Sequence, residues 1–139
     1  MAITNLGTRV SRFGTATIAP LAPAGQPNAS TVDGQQIDLL DYEGDIVFQI
    51  VSTATGAADK TCTFSLVESD TTTDGDFAAI STAGGGALTV THANAAINVI
   101  FQRNCDNLKR YVRLRLVTVG SSLVGHYAAT GFGSKKYGA

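Results

Sequence analysis

The chain has no tryptophan, one methionine, two histidines and two cysteines in 139 residues, and charged side chains make up only 15% of it. Each scarcity removes a class of function. Without tryptophan, and with 7% aromatic residues, a sugar-cleaving cleft has no stacking platforms, so the carboxylates in mid-chain do not read as a glycosidase pair. His92 and His126 stand in no HxH or HExxH spacing, and no GxSxG context selects a serine to complete a triad with either. Cys62 and Cys105 fall in no CxxC or Cys/His pattern; they read as buried free thiols of a protein made in a reducing cytoplasm. No apolar run approaches the ~20 residues of a membrane span, and the N-terminus lacks the basic start and apolar core of a signal peptide. The net charge of −1, with no basic run interleaved by aromatics, speaks against nucleic-acid binding. These readings predict a protein that is not an enzyme and uses no cofactor, metal or membrane.

Hydrophobic residues, alanine among them, are 44% of the chain, and Thr, Ser and 15 glycines fill much of the rest, a composition suited to strands and turns. A chain of this length buries about two-thirds of its unfolded surface as one domain. No stretch shows apolar positions at helical spacing over ten residues. Instead, about eight short strands recur at the ~8–12-residue intervals of an all-β antiparallel sandwich. Pro20, Pro23 and Pro27 oppose regular structure near the start, so residues 1–34 read as an extended N-terminal arm and 35–139 as the sandwich domain. Phe13, Ile18 and Leu21 in that arm need a surface, on their own domain or on a neighbour. With Arg9 and Arg12 they are candidate interface residues.

Leu108 to Gly133 reads as two long strands joined as a hairpin through Gly120, Ser121 and Ser122. In the first, Val112, Leu114 and Leu116 share one side while Tyr111, Arg113, Arg115 and Val117 share the other. DIVFQIVST, from Asp45, is apolar on both faces and reads as a strand between two layers. TCTFSLVES, from Thr61, is one-sided, with Cys62, Phe64 and Leu66 inward. Further strands are expected at FAAIS (77–81), ALTVT (87–91) and INVIFQ (97–102). The loop ESDTTTDGD, 68–76, carries only a fragment of a calcium-loop spacing, so it reads as an Asx-rich turn with Gly75 at positive φ, and calcium on Asp70, Asp74 and Asp76 stays open.

Charge is segregated along the chain. Residues 33–76 hold ten acids against Lys60, a net of −9, and residues 77–139 hold seven bases against Asp106, a net of +6. Either folding neutralises the blocks within one subunit, or the molecule has an acidic and a basic side that favour contacts between copies. Arg113 and Arg115 are expected to meet carboxylates of the acidic block, inside the subunit or across an interface.

VESDTTTDGDFAAI (67–80) and NLKRYVRLRLVTVGSSLVGHYAATGFG (107–133) resemble a pattern of small structural proteins of tailed bacteriophages. In it a strand ends in an acidic, glycine-containing turn, and a basic Arg-Tyr-Val-Arg strand precedes a glycine turn. The resemblance implies a jelly-roll sandwich that decorates and cements the outer surface of a capsid, bridging neighbouring capsomers. It also implies the major capsid protein and further copies of itself, as a trimer, for partners. Assembly would take place in the host cytoplasm. The alternative is a tail or fibre domain, or another carbohydrate-binding sandwich.

Overall fold

Where apolar and polar residues alternate, the chain forms strands. The computed structural model describes residues 13–18, 31–120 and 127–135. In chain order these form β1 (Phe13–Ile18), β2 (Thr31–Asp33), β3 (Ile37–Asp38), β4 (Tyr42–Ser52), β5 (Thr61–Ser69) and β6 (Ala78–Ala79). After them come β7 (Leu88–Ala93), β8 (Ile97–Asn104), β9 (Tyr111–Val119) and β10 (Tyr127–Lys135). Three single-turn 3₁₀ helices, at Leu39–Asp41, Asp74–Asp76 and Cys105–Asn107, are the helical elements among the described residues.

The strands make two antiparallel sheets. One has the order β1-β10-β4-β8; the other runs β2-β9-β5-β6, with β3 also on β9 and β7 also on β5. Since β2 and β3 are two pieces of one edge, and β6 and β7 share the opposite edge, the described residues fill eight strand positions. Their order is that of a jelly roll, in which nearly every connection crosses from one sheet to the other. The expected all-β sandwich is thus found, with its core between the two sheets.

Ile46, Phe48 and Ile50 of β4 face Cys62, Phe64 and Leu66 of β5 and Val112, Leu114 and Leu116 of β9 in one cluster. The inward residues of β10 are small because that cluster occupies their space. A Cβ on Gly133 would lie 2.5 Å from Tyr42 Cδ1.

Two expectations require correction. β4 is not enclosed on both faces: Val47 and Gln49 are half-buried and Val51 is 43% exposed, because a two-layer sandwich leaves the outer face of each sheet open. Nor do β9 and β10 form a hairpin, for they lie in different sheets. Gly120, with φ +108°, passes close against the connection between β4 and β5, where a Cβ would sit 3.1 Å from Lys60 Cα. β10 then pairs with β1 and β4.

Two stretches of the segment read as an arm are sandwich strands. β1 lies antiparallel to β10, with Phe13 opposite Ser134 and Ile18 opposite Ala129. β2 lies along β9, with Asp33 opposite Arg115. Arg9, Arg12 and Leu21 are outside the described residues.

Candidate functional site

The outer face of β9 carries its cations because alternation that sends Val112, Leu114 and Leu116 inward sends Arg113 and Arg115 outward. Arg113 is nevertheless buried, roofed by the acidic loop between β5 and β6. Its Nη1 donates to Asp74 Oδ1 at 2.6 Å and its Nη2 to the Asp74 carbonyl at 3.2 Å. The same Nη2 is 2.8 Å from Asp33 Oδ2. The guanidinium carbon lies 3.9 Å from the centroid of the Phe77 ring. Arg115 grips Asp33 with two donors, Nε to Oδ1 at 2.7 Å and Nη2 to Oδ2 at 3.2 Å. That hydrogen bonding raises the Arg115 pKa further above its ordinary value.

Lys109 pairs with Asp70 at 3.4 Å and Arg110 with Asp38 at 2.8 Å. The Arg110 hydrogen bonds hold the Asp38 carboxyl below its usual range. Glu68, 1% exposed, accepts from the backbone N–H of Ser81 at 2.8 Å and of Lys109 at 3.0 Å, tying two loops to the end of β5. Both arginines singled out from the sequence therefore meet acids of the 33–76 block within the subunit, and much of the segregated charge is neutralised there.

The three aspartates of the acidic loop direct their carboxylates to side chains. Asp74 meets Arg113, Asp76 accepts from the Thr71 hydroxyl, and Asp70 lies by Lys109. Gly75 does not take the expected positive φ. Asp74–Asp76 is a 3₁₀ turn, which needs right-handed backbone, and the positive-φ glycines among the described residues are Gly44, Gly56, Gly85, Gly86 and Gly120. Among the described residues no group of three His, Cys, Asp or Glu side chains could hold a metal ion. His92 stacks on the Phe64 ring with Nδ1 3.1 Å from the Ala95 carbonyl, and burial pulls its pKa down. Cys62 and Cys105 lie buried in the core and are not joined in a disulfide.

A surface that no sequence motif marks lies on the other sheet. Register places Ala128, Val51 and Asn98 in one row across β10, β4 and β8. Thr130, Gln49 and Ile100 form a second row, and Phe132, Val47 and Gln102 a third. None of the nine is ionisable. Ile100 is 64% exposed, and the Gln49 amide donates to Asn98 Oδ1 at 3.1 Å. The signal was present in the sequence as three runs without Asp, Glu, Lys or Arg, residues 46–58, 77–102 and 116–134. The fold lays their outward side chains side by side. Charge gathers instead at the end where β9 begins. At the opposite end, among the described residues, Asp59 and Lys60 are the charged side chains.

No protein-family model matches the chain. No curated protein sequence matches it either. Its fold does have known counterparts. The PBSX exported protein XepA is similar over 91% of this chain and 39% of its own, with a TM-score of 0.57 and 15% identity. VP2 in a subviral particle of infectious bursal disease virus is similar over 88% of this chain and 32% of its own, with a TM-score of 0.51 and 10% identity. The chain thus spans a third or so of the length of each. At such identities the likeness is one of fold.

Proposed function

We propose that this chain is a non-enzymatic virion structural protein that decorates the outer surface of a tailed-phage capsid and stabilises it by bridging neighbouring capsomers. The observation that carries the reading is the outer face of the β10-β4-β8 sheet, whose three successive rows from Val51 to Val47 carry no charge. A face that exposes Ile100 and Val51 beside amides and hydroxyls gains by leaving water and has no ion to desolvate on docking. Salt bridges that could compete for partners are largely satisfied within the subunit, around Arg113 and Arg115. The resemblance of residues 67–80 and 107–133 to tailed-phage structural proteins supports the reading. So does a fold shared with a protein of a subviral particle. A protein that binds an assembled shell in preference to its free subunits stabilises the shell by mass action.

Gold-labelled antibody against the protein, imaged on virions that contain it, should mark heads. Label confined to tails would overturn the capsid reading. Val51→Lys, which places a charge in the middle of the face at an already exposed position, should leave circular dichroism unchanged and remove binding to capsids.

A further inference from the structure

Among the described residues, β8 is the outermost strand at one margin of the four-stranded sheet. Among the described residues, β4 is the strand bonded to it, in unbroken register from Ser52 opposite Ile97 to Asp45 opposite Asn104. An edge of this length exposes a row of backbone donors and acceptors, and natural sheets protect such rows with lysine, proline, bulges or inward-pointing charge. Residues 97–102, INVIFQ, contain none of these, and the inward-pointing charge of β8, Arg103, stands only near its far end. A second observation points the same way. Ile46, Phe48 and Ile50 of β4 are 0–1% exposed, whereas Ile97, Val99 and Phe101, inward residues of β8, are only half-buried. Leu88 and Val90 on the facing edge strand β7 are half-buried too, so an apolar seam runs along this side of the sandwich.

We propose that a second copy of this chain adds antiparallel to β8 across a two-fold axis at Ile100, joining two four-stranded sheets into one of eight strands. The chemistry of the strand selects this occupant. In that register Ile100 meets Ile100 of the second copy, Asn98 lies opposite Gln102 and Val99 opposite Phe101. Apolar side chains close the seam on the inner side while amide meets amide on the outer one. A two-fold contact lays a surface on itself, so a charged edge would repel its own image; between residues 97 and 102 there is no charge to do so. Arg103, whose Nη1 donates to the Gln102 carbonyl, falls opposite Ile97 at either end of the pairing, unlike in charge to its counterpart. The contact yields a dimer in place of the trimer that the family resemblance implied, and it doubles the rows that carry no charge. It does not depend on the capsid reading.

Cross-linking tests the register directly. Facing residues of an antiparallel pair have Cβ atoms about 4.5–5.5 Å apart, so Ile100→Cys should give a disulfide-linked dimer on mild oxidation. In the same register two Asn98→Cys thiols are offset by roughly 13 Å along the strands and should not link. Sedimentation of the unmodified chain should show a dimer. Ile100→Lys, at a position already in water, should keep the circular dichroism spectrum and weaken the dimer by about tenfold or more. A monomer or a trimer, or linking at both positions or at neither, would overturn the proposal. Val51→Lys, one strand away from the edge, should still dimerise, which separates failure of this contact from failure of capsid binding.

Discussion

Arg113 shows how burial decides the worth of an ion pair. Its side chain is 6% exposed, Asp33 is 27% and Asp74 is 90%. Losing Asp74, which stays largely in water, should cost less than about 1 kcal/mol. Asp33→Ala strips both guanidinium groups of their shared carboxylate and should cost about 1–3 kcal/mol. Arg113→Ala, which also empties the space over Phe77, should cost about 2–4 kcal/mol. Urea unfolding of the three variants should give that order; an Asp74→Ala loss equal to that of Arg113→Ala would move the weight of the cluster to the loop. His92 gives a pH dependence. Its folded pKa lies below the usual 6.5, chiefly through burial, so the neutral ring is favoured. The associated stability is fully present above about pH 6.5 and is lost as pH falls through the folded value. Thermal melts at pH 7.5 and pH 5 should therefore differ more for the native chain than for His92→Phe. Equal differences would count against the assignment. Asp38, held low by Arg110, should withdraw its own contribution only in more acid solution, below its ordinary carboxylate range.

Strands whose two faces differ in polarity were legible in the sequence: β5, β8 and the inward set of β9 all fall where alternation puts them. The pairing of β9 and β10 was not. Two apolar runs around a glycine describe an arch between sheets as well as a hairpin, and what distinguishes them is the identity of distant partners, β5 for one and β4 with β1 for the other. The second face of β4 misled for a related reason, since an exposed valine and a buried one look alike in a sequence. Gly75 and Gly133 make the same point about turns and close contacts. A Cβ on Gly75 meets nothing within 4 Å, so Gly75→Ala should change stability by less than about 0.5 kcal/mol. Gly133→Ala drives a methyl into Tyr42 and should cost about 1–3 kcal/mol. Calorimetry comparing the two should show a clear fall in melting temperature for Gly133→Ala alone, and equal shifts would mean that Tyr42 moves aside.

At the scale of the molecule, the sequence showed two opposite blocks of charge, and folding turns them into a largely neutralised end and a face with three successive rows that carry no charge. The blocks were legible as numbers; which acid meets which base was not, because Asp33 and Arg115 are brought together only by β2 lying along β9. The charge-free runs were equally visible but acquire meaning only when register aligns residues 47–51, 98–102 and 128–132. The same register joins the chain's first described strand to its last: β10 lies between β1 and β4 and bonds to both. A chain ending at residue 126 should therefore lose cooperative unfolding altogether, and persistence of a sharp transition would show that the remaining strands suffice. During synthesis, β1 leaves the ribosome more than a hundred residues before the strand it must lie against. Until β10 emerges, neither β1 nor the facing edge of β4 has its partner, so the nascent chain carries an unfinished sheet through most of translation. Closure awaits completion of the last strand, in the slow regime expected of non-local β pairing, and a chaperone that shields exposed edges would act in that interval.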